Sequence, residues 1–122
     1  MARILIVEDN PANMTLAVFL LQSAGHVTLS ATTAEAGLAL ARVEQPDLIL
    51  MDIQLPGMDG LEATGILKGA GVTCAIPVIA LTALAMKGDE ERIRAAGCDG
   101  YIAKPMSYKE LLAVVAAHLV PA

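Results

Sequence analysis

Five polar residues stand where apolar sequence stops. Ile4-Leu5-Ile6-Val7 runs into Glu8-Asp9, Leu48-Ile49-Leu50-Met51 into Asp52, Val78-Ile79-Ala80-Leu81 into Thr82, and Tyr101-Ile102-Ala103 into Lys104-Pro105. If these runs lie side by side, three carboxylates, a hydroxyl and an ammonium converge on one mouth. Two carboxylates ~6 Å apart repel by roughly 3 kcal/mol at an effective dielectric of about 20. Three of them with one lysine leave a charge of about −2, which is costly unless something neutralises it. With no His or Cys ligand beside them, the fitting counter-ion is a divalent, oxygen-seeking one, Mg2+, with Mn2+ as its substitute. Carboxylates, Mg2+, a lysine and a hydroxyl equip a site for phosphoryl transfer: a carboxylate nucleophile, and cations for the phosphoryl oxygens.

The elements that must position these residues are legible as well. The four apolar runs, with a weaker fifth over Val27 to Ala31, suit strands buried on both faces of a parallel sheet. Helical sequence follows each. Asn10-Pro11 reads as an N-cap and a first-turn proline, opening a helix to about Ala24 that Gly25 ends. Leu16, Phe19, Leu20 and Ser23 share one of its faces. Further helices are expected over Thr33 to Gln45, from Asp59-Gly60 to Gly69 or Gly71, over Lys87 to Ala96, and from the Ser107 cap to about Val120. Glu90 and Arg94 are spaced for an i,i+4 pair. Five strand–helix units predict an α/β domain around a mostly parallel sheet. Ligands of such a sheet bind at the carboxyl ends of its strands, where the five polar residues fall.

Composition narrows the classes. The chain has 122 residues and a net charge of −5, is 56% hydrophobic and only 2% aromatic. That is one domain's worth of chain. An acidic, aromatic-poor surface argues against nucleic-acid binding, which uses basic grooves and stacking rings. No stretch approaches the ~18 apolar residues of a membrane span. Cys74 and Cys98 make no disulfide framework, suit a reducing cytoplasm, and read as packed thiols. His26 and His118 are isolated, with no metal-ligand partner at helical spacing.

Taken together, Val7-Glu8-Asp9-Asn10, Met51-Asp52-Ile53-Gln54-Leu55-Pro56-Gly57-Met58-Asp59-Gly60, Leu81-Thr82-Ala83 and Tyr101-Ile102-Ala103-Lys104-Pro105 resemble the signature of bacterial response-regulator receiver domains. The resemblance spans the chain in order and spacing. Met86 to Arg94 and Glu8 to Asn13 are most similar to stand-alone, DivK-type receivers and to receivers of hybrid kinases. The resemblance implies a flavodoxin-like, doubly wound (βα)5 fold with strand order 2-1-3-4-5. It implies that Asp52 accepts a phosphoryl group from the phosphohistidine of a histidine kinase or phosphotransfer protein. Asp9, Asp52 and the backbone carbonyl of Gln54 would bind Mg2+, and Glu8 would hold an ion-bound water. Lys104 would pair with the acyl phosphate, Thr82 would hydrogen-bond it, and Tyr101 would be the aromatic that changes rotamer. A cis peptide before Pro105 is a further family expectation.

Such a protein is a switch that accepts one phosphoryl group per event and loses it slowly to water, rather than an enzyme. Gln54 and Leu84 would flank the water's path, and the apolar Leu84 predicts slow loss. The surface around Lys87 to Arg94, Tyr101 and Ala113 to Ala117, formed by helix 4, strand 5 and helix 5, is expected to bind a downstream protein or a second copy. Asn13 is a further candidate partner contact. Met1 to Ala122 reads as a single receiver domain with no output domain. The rival reading is a small Asp-nucleophile phosphatase, or another Mg2+-dependent phosphoryl-transfer enzyme on a similar fold. Such a phosphatase typically carries a second Asp two residues after the first, where this chain has Gln54.

Overall fold

In a computed structural model, which describes residues 2–83, 87–104 and 106–119, strands and helices alternate throughout. The elements are β1 (Arg3–Val7), α1 (Pro11–Ser23), β2 (Val27–Ala31), α2 (Ala34–Glu44), β3 (Leu48–Asp52), α3 (Gly60–Gly69), β4 (Val78–Thr82), α4 (Lys87–Ala95), β5 (Gly100–Ala103) and α5 (Tyr108–His118). All five strands are parallel, in the order β2-β1-β3-β4-β5. Leu84, the Pro105 side of the Lys104–Pro105 peptide, and Val120 lie outside the described residues.

The apolar runs are continuous because β3 and β4 are buried at every position. Alternate residues serve opposite layers. Ile4, Ile6, Leu48, Leu50, Ile79 and Leu81 pack under α1 and α5. Leu5, Val7, Ile49, Met51, Val78 and Ala80 pack under α2, α3 and α4. The helices start where short polar side chains can take an orphan N–H. Asn10 accepts from Asn13 N at 3.0 Å, Thr33 from Ala36 N at 3.1 Å, Asp59 from Glu62 N at 2.8 Å and Ser107 from Glu110 N at 3.1 Å.

One expectation is overturned, that of Cys74 as a packed thiol, and two helices present faces that the sequence left open. The buried face of α1 is Ala17, Leu20 and Leu21, while Phe19 is 65% exposed and Leu16 is exposed too. That helix is apolar nearly all round, so periodicity could not orient it; the small Ala17 lies against the sheet instead. Cys74 is exposed, in the turns between α3 and β4, whereas Cys98 is buried as expected. Burial lifts the Cys98 thiol above its ordinary pKa despite its contact with the Thr64 hydroxyl. In α5 only Leu111 and Val115 are buried.

Candidate functional site

Register brings the acids together. Val7 pairs with Met51, so Glu8 and Asp52 leave neighbouring strands side by side. Asp52 pairs with Leu81, and Thr82 with Ala103, so Thr82 and Lys104 leave β4 and β5 one step further along. Lys104 N donates to Thr82 O at 2.7 Å, fastening those two ends. The edge strand β2 contributes a carbonyl only, Ala31 O, which accepts from Glu8 N at 3.0 Å.

One carboxylate oxygen from each of Glu8, Asp9 and Asp52 lies within 4.8 Å of the others. Glu8 is 1% exposed and Asp52 2%, whereas Asp9 is open to solvent. Lys104 Nζ stands 2.7 Å from Glu8 Oε1 and 3.1 Å from Asp52 Oδ2. Gln54 N donates to Asp52 Oδ1 at 2.9 Å, and Asn10 N to Glu8 Oε2 at 3.3 Å. Glu8 Oε1 nevertheless lacks a hydrogen bond of acceptable direction, Lys104 being close but not aligned. A buried, under-satisfied carboxylate oxygen in a ring of three acids is a donor set suited to a small hard cation.

The two buried acids divide their proton unequally. Burial pushes the Glu8 carboxyl from 4.5 up to about 7, reinforced by its hydrogen bond with Asp52 and opposed by Lys104. Burial would raise Asp52 as well, but hydrogen bonds from Glu8 and from Gln54 N, with the Lys104 charge, bring it below its ordinary value. Burial disfavours the Lys104 ammonium, yet Glu8 and Asp52 more than compensate and its pKa is raised. Below about pH 7 the proton of this pair therefore sits on Glu8, and Asp52 stays ionised.

Of the expected residues, Glu8, Asp9, Asp52 and Lys104 are drawn into one cluster. Thr82 is fully buried at the end of β4, and Tyr101 is half-buried against the α2, α3 and α4 layer. Gln54 is exposed, with its N–H on Asp52. The direct Glu8–Lys104 ion pair is the feature the sequence reading missed. Opposite charges after β1 and β5 hinted at it, but only the register of the intervening strands sets the distance.

Parallel strands in the order 2-1-3-4-5, with a carboxylate cluster at their carboxyl ends, form an α/β domain of the CheY-like class. The chain belongs to the response regulator receiver domain family, which it matches over residues 4–116. This decides against the phosphatase reading: the protein is the receiver domain of a two-component response regulator, a signalling switch. It is 49% identical over 116 residues to the polar-differentiation response regulator DivK of Brucella anthropi, covering 95% of this chain and 94% of that one. Among solved structures it is similar to the receiver domain of sensor histidine kinase PA1611 from Pseudomonas aeruginosa PAO1, at 36% identity, TM-score 0.89 and 96% of each chain. That structure has a magnesium ion coordinated in its active-site cleft. It is also similar to the chemotaxis protein CheY4 of Vibrio cholerae, at 26% identity and TM-score 0.92, over 98% of this chain and 99% of that one. Among the described residues no helix is long and apolar enough to cross a membrane.

Proposed function

We propose that Asp52 is the phosphoryl acceptor, taking the group from a phosphohistidine on a histidine kinase or phosphotransfer protein. The observation that carries this reading is the cluster itself: three carboxylates within 4.8 Å, two of them buried, with one lysine against both buried acids. Asp9, Asp52 and the Gln54 carbonyl are the residues to ligate Mg2+, with Glu8 behind them; the under-satisfied Glu8 Oε1 supports that fit. The ion, when bound, neutralises the acids and counters charge on the phosphoryl oxygens.

The remaining steps belong to the chain. Asp52 is held ionised, so a carboxylate oxygen is available to attack phosphorus as the bond to the histidine nitrogen breaks. The departing imidazole keeps that electron pair and takes up a proton. Lys104, within reach of Asp52, pairs with the new acyl phosphate, and Thr82 hydrogen-bonds it. Thr82 and Lys104 are fastened to each other through the 2.7 Å backbone hydrogen bond, so drawing in one displaces the ends of both β4 and β5. Tyr101, half-buried on β5, then turns inward, and the surface of α4, β5 and α5 changes for a downstream protein or a second copy. Slow hydrolysis of the acyl phosphate resets the switch. We place its action in the cytoplasm and through protein contacts, the role of a response regulator, which is what the similar DivK protein is.

The test is incubation with Mg2+ and a small acyl phosphate, followed by a search for an acid-stable, base-labile adduct. Wild-type protein should carry one phosphoryl group and Asp52→Asn none; an adduct that survives in Asp52→Asn refutes the assignment.

A further inference from the structure

The carboxyl end of β3 is braced by the helix that follows it. Residues 53–59 loop out from Asp52 and return at Gly60, the first residue of α3. There the chain lies directly on the peptide it left. A Cβ at position 60 would stand 2.7 Å from Ile53 Cα and 2.8 Å from the Asp52 carbonyl carbon, and would press still harder on the Asp52 carbonyl oxygen. All three are backbone atoms, which cannot swing aside as a side chain can. Gly60 is not among the glycines with positive φ, so the requirement is for space rather than for conformation.

Nor can the helix start simply retreat. Gly60 N donates to Ile53 O at 3.3 Å, the Thr64 hydroxyl donates to Gly60 O at 2.7 Å, and Asp59 caps the first turn through Glu62 N. Ile53 and Leu55 are buried, tying down the near side of the loop. The loop is thus closed at its base by Gly60 against Asp52. Inside it, Gln54 N sets the direction of the Asp52 carboxylate by donating to Oδ1.

We propose that Gly60 is a positioning residue for phosphoryl acceptance: its bare α-carbon lets α3 seat on the Asp52–Ile53 peptide, which holds the Asp52 carboxylate and the Gln54 carbonyl in register with Glu8 and Asp9. The proposal rests on the assignment of Asp52 as acceptor. To restore ordinary separation from backbone carbon, a methyl at position 60 must shift the two segments apart by roughly 1 Å. Misplacement on that scale costs an oriented reaction about 100-fold.

Mg2+ affinity by calorimetry, and the labelling rate with a small acyl phosphate at saturating Mg2+, would be compared across variants. Gly60→Ala is made in the Gly65→Ala background; nothing lies within 4 Å of a Cβ at 65, so that change adds helix propensity without contact. Gly65→Ala alone is the reference, and Leu67→Ala, which hollows the core beneath the same helix, is the control for lost stability. The expected result is Mg2+ binding weakened about tenfold and labelling slowed about 100-fold by Gly60→Ala, with Gly65→Ala and folded Leu67→Ala near wild type in affinity. Unchanged affinity in the Gly60→Ala protein overturns the proposal. So does an equal loss in Leu67→Ala, or a Gly60→Ala chain that does not fold even in the supporting background, since each makes the role purely structural. Wild-type protein that binds Mg2+ but takes no phosphoryl group overturns the acceptor assignment instead, and leaves the affinity comparison to judge Gly60.

Discussion

The raised Glu8 carboxyl makes folding stability depend on pH within a narrow window. In the unfolded chain this group titrates at 4.5; in the fold, burial and the hydrogen bond with Asp52 bring it to about 7. Between those values the folded protein keeps a proton that the unfolded chain has lost. The stabilisation is therefore complete below 4.5 and is lost as pH rises through about 7. Asp52, lowered in the fold, has the opposite sign: its contribution is present above its ordinary value and disappears only in stronger acid. It is ionised in both states across the Glu8 window and adds no slope there. At about 1.4 kcal/mol per decade of proton affinity, Glu8 carries on the order of 3 kcal/mol, a large part of the ~5–15 kcal/mol of a typical domain. Urea unfolding in EDTA, stepped from pH 4.5 to 8, should show wild-type stability falling relative to Glu8→Gln, whose neutral amide mimics the protonated acid. The difference between the two proteins should change by about 3 kcal/mol and level off above neutrality. A difference that stays constant across this range would refute the picture of a proton held on Glu8.

Two further outcomes follow from the ion pairs. Lys104→Met leaves the buried Asp52 carboxylate, and Glu8 beside it, without their cation and should cost roughly 3 kcal/mol in EDTA by urea unfolding; a loss below about 1 kcal/mol would mean that water already screens the pair. Lys68→Met removes an ammonium that donates to Ile76 O and Asp99 Oδ2, each at 2.8 Å. It should lower stability by about 1–2 kcal/mol, read as a fall in Tm, because Asp99 also accepts from Val78 N and orders the entry to β4.

β1, β3 and β4 were legible because runs buried on both faces need no periodicity to be recognised, whereas the edge strands β2 and β5, expected to be buried on both faces too, are largely exposed or half-buried and showed only as weaker or shorter runs. Helix starts were legible for a local reason: Asn10, Thr33, Asp59 and Ser107 each cap within three residues of sequence. What escaped was whatever depends on orientation or on distance between elements. The buried face of α1 stayed open because an all-round apolar helix has no preferred side until the sheet supplies one. Cys74 was misplaced because a small thiol between Thr73 and Ala75 gives no sign of which way a turn will point it. The acids were found as a set, but their unequal protonation was not, since it arises from the burial of Glu8 beside Asp52, which Lys104 only partly offsets, and from the Gln54 N–H that favours the Asp52 carboxylate.

The two sides of the site are held with unequal strength. Asp52 closes a strand buried along its whole length, and behind it α3 buries Gly60, Ala63, Thr64 and Leu67. On the other side, among the described positions of α4, Ile93 alone is buried. The Arg92–Asp89 and Arg94–Glu90 pairs, at 3.2 and 3.4 Å, lie on the helix surface and add a few tenths of a kcal/mol each at most. α4 therefore belongs at the low end of the fold's local stabilities. A charge added at Asp52 acts first on Lys104, 3.1 Å away and tied to the end of β4 by its backbone hydrogen bond to Thr82, whereas β3 is buried along its whole length and has no comparable freedom. On the proposed reading, a phosphoryl group on Asp52 would leave β3 and α3 in place and act on the more lightly anchored face of α4, β5 and α5.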